Sequence, residues 1–114
     1  MKSKIVSLSK NEDFKSILDG KRLSNKYLTI FFRKLPNKDN KKLNISFVIT
    51  KKKIGNAVSR NKIKRRLRNI MNDAIKKINI NLNYCYLLIA RTSILNDPYA
   101  NIKQTLFAEF EKIK

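Results

Sequence analysis

The feature that most restricts this chain is one apolar row. Ile63, Leu67, Ile70, Met71, Ala74, Ile75 and Ile78 recur at i, i+4, i+7, i+8, i+11, i+12 and i+15, the spacing of a single face on a 3.6-residue helix. Such a helix must lay that face on something, and the rest of the 114 residues has to supply the layer beneath it. Gly55 and Asn56 precede the row; Asn56 is the better N-cap, with Ser59 as second choice.

The opposite face of the same helix is cationic. Residues 60–68 read Arg-Asn-Lys-Ile-Lys-Arg-Arg-Leu-Arg, six positive charges in nine positions. With Ile63 set at zero, Lys64, Arg68, Asn61, Arg65, Lys62 and Arg66 fan over roughly 100° to 300°, away from the apolar stripe. Arg60 falls at the azimuth of the stripe but one turn ahead of it, and is expected to overhang the edge of the underlying layer.

Local electrostatics oppose this arrangement. A helix N-terminus already carries about half a positive charge, and like charges at i and i+4, as in Arg60 with Lys64, cost roughly 0.2 to 0.5 kcal/mol per pair. A bound phosphate reverses both signs, because dipole and arginines then attract the same anion while Asn61 adds a hydrogen bond. A merely solvated face would intersperse glutamates, yet from residue 51 to 72 there is no acid.

Elsewhere the pattern predicts a short helix opened by Ser9 and Glu12 as a capping box, carrying Phe14, Ile17 and Leu18 and stopped by Gly20. Strands are expected at residues 27–32 and 44–50, joined by an exposed, hairpin-like loop at 35–43 containing Pro36. The near-continuous apolar run at 84–90 reads as a central strand covered on both faces. Asp97 and Pro98 read as the N-cap and first residue of a last helix bearing Ile102, Leu106, Phe110 and Ile113. The expected order is αββαβα: an α/β (α+β) two-layer sandwich in which helices pack a small sheet, within one domain over 1–114.

Charge narrows the partner. Against 27 Lys plus Arg stand 8 Asp plus Glu, for a net +19. That favours nucleic acid over an anionic membrane or an acidic protein, and the local arginine cluster is not explained by a lysine-rich composition alone. No stretch approaches the roughly 18 to 20 apolar residues of a membrane span, and the first ten residues lack a signal peptide's apolar centre; a cytoplasmic protein is expected. The single Cys85, set among Tyr84, Tyr86, Leu87 and Leu88, reads as a buried thiol rather than a redox centre.

Side-chain catalysis lacks its usual players. The chain has no histidine, so Cys85 has no imidazole to activate it. The acids are scattered at Glu12, Asp13, Asp19, Asp39, Asp73, Asp97, Glu109 and Glu111, not grouped to hold a metal ion. Neither a catalytic set nor a metal site is expected in the protein.

The stretch Lys52-Lys53-Ile54-Gly55-Asn56-Ala57-Val58-Ser59-Arg60-Asn61-Lys62-Ile63-Lys64-Arg65 resembles the signature of the bacterial ribonuclease P protein subunit, in which a lysine-rich turn and Gly-Asn-Ala-Val lead into an Arg-Asn-Arg helix. The resemblance spans most of the chain, including Lys-Asn-Glu-Asp-Phe at 10–14 and Leu-Ile-Ala-Arg at 88–91. Lys62 departs from it, since the family more often has arginine there; the charge survives without the bidentate fork.

The resemblance implies a protein that assists a catalytic RNA in removing the 5′ leader of precursor tRNA, the RNA using Mg²⁺ and the protein holding no cofactor. Lys52, Lys53, Arg60, Asn61, Lys62, Lys64, Arg65, Arg66 and Arg68 would face the RNA. A central cleft for the leader maps onto Phe14, Leu18, Thr29 and Phe31 with Lys51 nearby. It further implies a monomeric protein in a one-to-one ribonucleoprotein, and a left-handed βαβ crossover that departs from the usual hand. From the residues alone Phe14 and Phe31 stay open between core packing and base stacking. A ribosomal-type RNA binder and a DNA-binding module are competing readings; against the latter, no helix-turn-helix spacing precedes Asn56 and no dimerising heptad is present.

Overall fold

A computed structural model describes residues 5–8, 10–36, 38–50 and 54–113. Ser9, Lys51, Lys52 and Lys53 lie outside the described residues, so the capping role expected of the first and the RNA or cleft roles of the other three are not placed.

Cys85–Ala90 forms the strand that organises the rest. Numbering in chain order, the described elements are β1 (Ile5–Val6), α1 (Asn11–Leu18), β2 (Lys21–Ser24), β3 (Leu28–Arg33), β4 (Leu43–Val48), α2 (Ala57–Lys77), β5 (Cys85–Ala90), α3 (Ser93–Asn96) and α4 (Tyr99–Lys112). The sheet order is β1-β4-β5-β3-β2, with β5 parallel to β4 and antiparallel to β3. Because β5 is central, both its faces are covered, and alternation gives way to a continuous apolar run. Tyr86, Leu88 and Ala90 point into the main core with α2 and α4, while Cys85 and Leu87 join Leu8 and Ile17 on the reverse side.

The mixed sheet packed by helices agrees with the expected α+β sandwich, and α1 adds a partial third layer on the reverse face. β4, α2 and β5 make the parallel βαβ unit to which the crossover expectation refers.

The long helix forms where its pattern predicts. Asn56 Oδ1 accepts from the Val58 amide at 2.8 Å, and Ile63, Leu67, Ile70, Met71 and Ala74 are buried. Each large side chain among them contributes about 1.5 to 3 kcal/mol on burial, well above the few tenths lost per like-charge pair on the outer face. Packing fixes the helix and the cations ride on it. Tyr86 meets Phe110 of α4 edge-to-face at 5.2 Å between ring centres.

Several local expectations need correction. The segment between β3 and β4 is no hairpin connection, since β5 lies between those strands; instead Asn44 Nδ2 donates to the Asp39 and Lys42 carbonyls at 3.0 and 3.3 Å, folding the loop on itself. Asp97 does not cap the last helix. Pro98 occupies the cap position without a side-chain bond, and the Asp97 carboxylate turns to Tyr27 and Lys26. α1 begins at Asn11 with Lys10 at its cap position, again without a side-chain bond.

Gly20 follows the end of α1 as expected, for a steric reason. A Cβ there would lie 2.6 Å from the Phe32 carbonyl oxygen and 2.8 Å from Arg33 Cβ. Only glycine lets the chain leave α1 and run this close to β3.

Candidate nucleic-acid interface

The outward face of α2 carries the cations in two states. Asn61, Lys62, Lys64, Arg65 and Arg68 are exposed. Arg60 is half-buried and donates from Nη1 to the carbonyls of Ile54 and Gly55 at 3.2 and 3.0 Å, fastening the turn before the helix. Arg66 departs furthest from expectation. It lies at the flank of the apolar stripe, half-buried, and Nη1 donates to the Ile94 carbonyl at 2.7 Å and the Asp97 carbonyl at 3.4 Å.

No local charge relieves this face. Among the described residues the ion pairs use Lys26, Lys38, Lys103 and Lys112, none from residues 60–68. The first turn of α2 holds no acid, and Val58 there is 76% exposed. The dipole and the arginines together make a strong, uncompensated attraction for anions.

The reverse face of the sheet gathers the second set. Phe14 of α1 and Phe31 of β3 are half-buried against the same small cluster of Leu8, Ile17, Cys85 and Leu87. Leu18 is 45% exposed at the end of α1. Thr29 stands two residues before Phe31, so on the same face. Its Oγ1 is 3.1 Å from Ser24 Oγ and accepts from Arg91 Nη2 at 3.5 Å. Short α1 is held in place by Lys38, whose ammonium is 2.7 Å from Asp13, and by Arg33, which donates to the Ser16 carbonyl at 3.0 Å.

Phe14, Thr29 and Phe31 therefore share one face of the sheet, with Leu18 exposed at the end of α1, whereas α2 packs on the other face. They approach at one end of the sheet: β4 finishes at Val48 and α2 starts at Ala57, while Thr29 pairs with Ile89 just before Arg91. Loops beyond the carboxyl ends of parallel strands are where such sheets gather ligands. Two neighbours of the cleft were not legible as site residues. Arg22 sits opposite Phe31 in register, but on a strand too polar to recognise from sequence, and Arg91 contacts Thr29 only because β3 and β5 pair.

Burial pushes the Cys85 thiol up, which disfavours a thiolate nucleophile. Among the described residues no group of three or more His, Cys, Asp or Glu side chains comes together as a metal site. No helix among them is long and apolar enough to cross a membrane.

A mixed sheet carrying a cationic helix without local acids, with half-buried Phe14, Phe31 and Thr29 on its reverse face, is a protein of the α+β class built to attract polyanions. The sequence pattern described as Ribonuclease P matches residues 2–114, and the chain belongs to that family. The ribonuclease P protein component of Carboxydothermus hydrogenoformans is 35% identical over 102 residues, covering 87% of this chain and 83% of that protein. The ribonuclease P protein of Staphylococcus aureus superposes with a TM-score of 0.74 at 28% identity, over 94% of this chain and 93% of that one. That of Thermotoga maritima shares the fold with a TM-score of 0.79 at 24% identity, over 96% and 98%. The chain is thus a protein component of ribonuclease P, a subunit of a tRNA-processing ribonucleoprotein whose partner is the ribonuclease P RNA.

Proposed function

We propose that this protein is the non-catalytic subunit: it grips the ribonuclease P RNA through the exposed cations of α2 and holds the 5′ leader of precursor tRNA in the cleft between α1 and β3, while the RNA, with Mg²⁺, cuts. The observation that carries this reading is the row Arg60 to Arg68 at the positive end of a helix, with no acid in its first turn or anywhere in residues 51–72. Phosphate oxygens at that row are attracted by charge and dipole together.

The cleft suits a single strand. Phe14 and Phe31 offer ring surface, and Thr29 offers a hydroxyl beside the Arg91 guanidinium; stacking on such rings contributes about 1 to 3 kcal/mol per base. Lys51, Lys52 and Lys53, which lie in sequence between β4 and α2, are proposed to add their charge to RNA binding. The protein's part is to screen phosphate repulsion and align the leader, as one cytoplasmic RNA-binding domain, monomeric in a one-to-one complex and without a cofactor of its own.

Reconstitution with a bacterial ribonuclease P RNA tests this. The protein should lower the Mg²⁺ needed to cleave a leader-bearing precursor and should tighten that substrate far more than a leader-less one. Unchanged cleavage at low Mg²⁺ rejects the proposal.

A further inference from the structure

Arg66 belongs by sequence to the cationic row but is bonded inward, and its bonds start a connected path. Its Nη1 holds the Ile94 and Asp97 carbonyls of the α3 turn at 2.7 and 3.4 Å. Ile94 itself is fully buried, so this turn is anchored and does not drift with the arginine.

From α3 the path continues to the turn between β2 and β3. Ser93 Oγ donates to the Lys26 carbonyl at 2.7 Å. The Tyr27 hydroxyl donates to Asp97 Oδ2 at 2.7 Å and the Lys26 ammonium lies 2.8 Å from the same oxygen. The Arg91 amide donates to the Tyr27 carbonyl at 2.8 Å. Asn25 Oδ1 closes the turn by accepting from the Tyr27 and Leu28 amides at 2.8 and 3.0 Å. β3 begins at Leu28, and Thr29 and Phe31 follow on its cleft face.

We infer that Arg66 is a positioning residue that fastens the RNA-facing helix to the β3 wall of the leader cleft, and not a further phosphate ligand. The inference rests on the proposed roles of α2 and of the cleft. Its physical basis is that a charge-assisted bond to two carbonyls holds orientation as well as distance, and that α2 and the cleft, on opposite faces of the sheet, need a rigid connection if binding at one is to set the geometry of the other. Within the row, Arg65 and Arg68 face solvent for phosphate, whereas Arg66 serves the fold that presents them.

The test uses the full protein assembled with ribonuclease P RNA. Each phosphate contact contributes about 0.7 to 0.9 to the slope of log affinity against log salt. Arg66→Ala should leave that slope unchanged while shrinking the affinity advantage of leader-bearing over leader-less precursor roughly three- to tenfold, a size typical of coupling between sites. The double substitution Ser93→Ala/Asp97→Ala removes both side-chain links from α3 to the turn between β2 and β3 without altering an α2 side chain, and should give the same selective loss even if Arg66→Ala fails to fold. Arg66→Lys, which keeps charge and one bond, should recover part of it. A slope reduced by one phosphate contact in Arg66→Ala, or an intact leader advantage in folded Ser93→Ala/Asp97→Ala, overturns the inference. The parent roles are checked separately: Arg65→Ala must lower the slope and Phe31→Ala must reduce the leader advantage, and failure of either faults the α2 or cleft assignment itself.

Discussion

The Tyr27 hydroxyl donates to the Asp97 carboxylate at 2.7 Å across 70 positions of sequence. Bonds from Lys26 and then Tyr27 hold the Asp97 carboxyl below its ordinary value of 3.8. The Lys103 ammonium at 2.7 Å does the same for Asp73, joining α2 to α4. The folded protein therefore binds these protons less readily than the unfolded chain. Their contribution to stability is complete above about pH 4 and is lost as pH falls through the lowered folded values. Thermal midpoints measured down to about pH 2 should decline, and Asp97→Asn should shallow the decline; an unchanged pH profile in that variant would show the contact to be energetically silent.

Gly20→Ala should destabilise the fold by about 1 to 3 kcal/mol, because the new methyl meets the backbone of β3 and not a side chain that can swing aside. Urea unfolding measures it. A variant as stable as the parent would mean that α1 can lift from the sheet at no cost.

Arg65→Ala and Arg60→Ala should separate binding from folding. Arg65 is exposed and makes no described contact, so its loss should leave the melting temperature within about 1 °C while weakening RNA assembly by about 1 to 3 kcal/mol. Arg60 also ties Ile54 and Gly55 to the helix, and its loss should lower both. Calorimetry paired with filter binding distinguishes the two patterns.

Phe31→Ala should weaken leader-bearing precursor selectively, by about 1 to 3 kcal/mol for one lost stack. Phe31 packs on the cluster of Leu8, Ile17, Cys85 and Leu87, so some loss of stability accompanies it. Equal weakening of leader-bearing and leader-less substrates in titrations of the holoenzyme would remove Phe31 from the leader path.

Much of this molecule can be read from local pattern, and the exceptions share a cause. The six apolar positions from Ile63 to Ile75 in α2 and the run that becomes β5 announce themselves because burial is written in their own spacing. β2 does not: Lys-Arg-Leu-Ser is a strand only because it pairs along the edge of β3, where charged side chains are tolerated. Arg66 and Asp97 were misplaced by helical geometry and capping statistics for the same reason, since their partners come from α3 and from Tyr27, which no window of local sequence contains. Side chains whose partners lie far along the chain are the ones a local reading assigns to solvent or to a cap.

The central position of β5 has a bearing on synthesis. The pair β3 with β2 and the pair β4 with β1 are joined into one sheet only through residues 85–90, a piece that comes late in the sequence, and pairings so distant are the kind that slow assembly. The cationic helix, residues 57–77, leaves the ribosome before the strand it will rest on. During that interval it is a tethered polycation surrounded by ribosomal RNA, and the order in which it meets nucleic acid and its own sheet is set by translation speed and salt as much as by affinity.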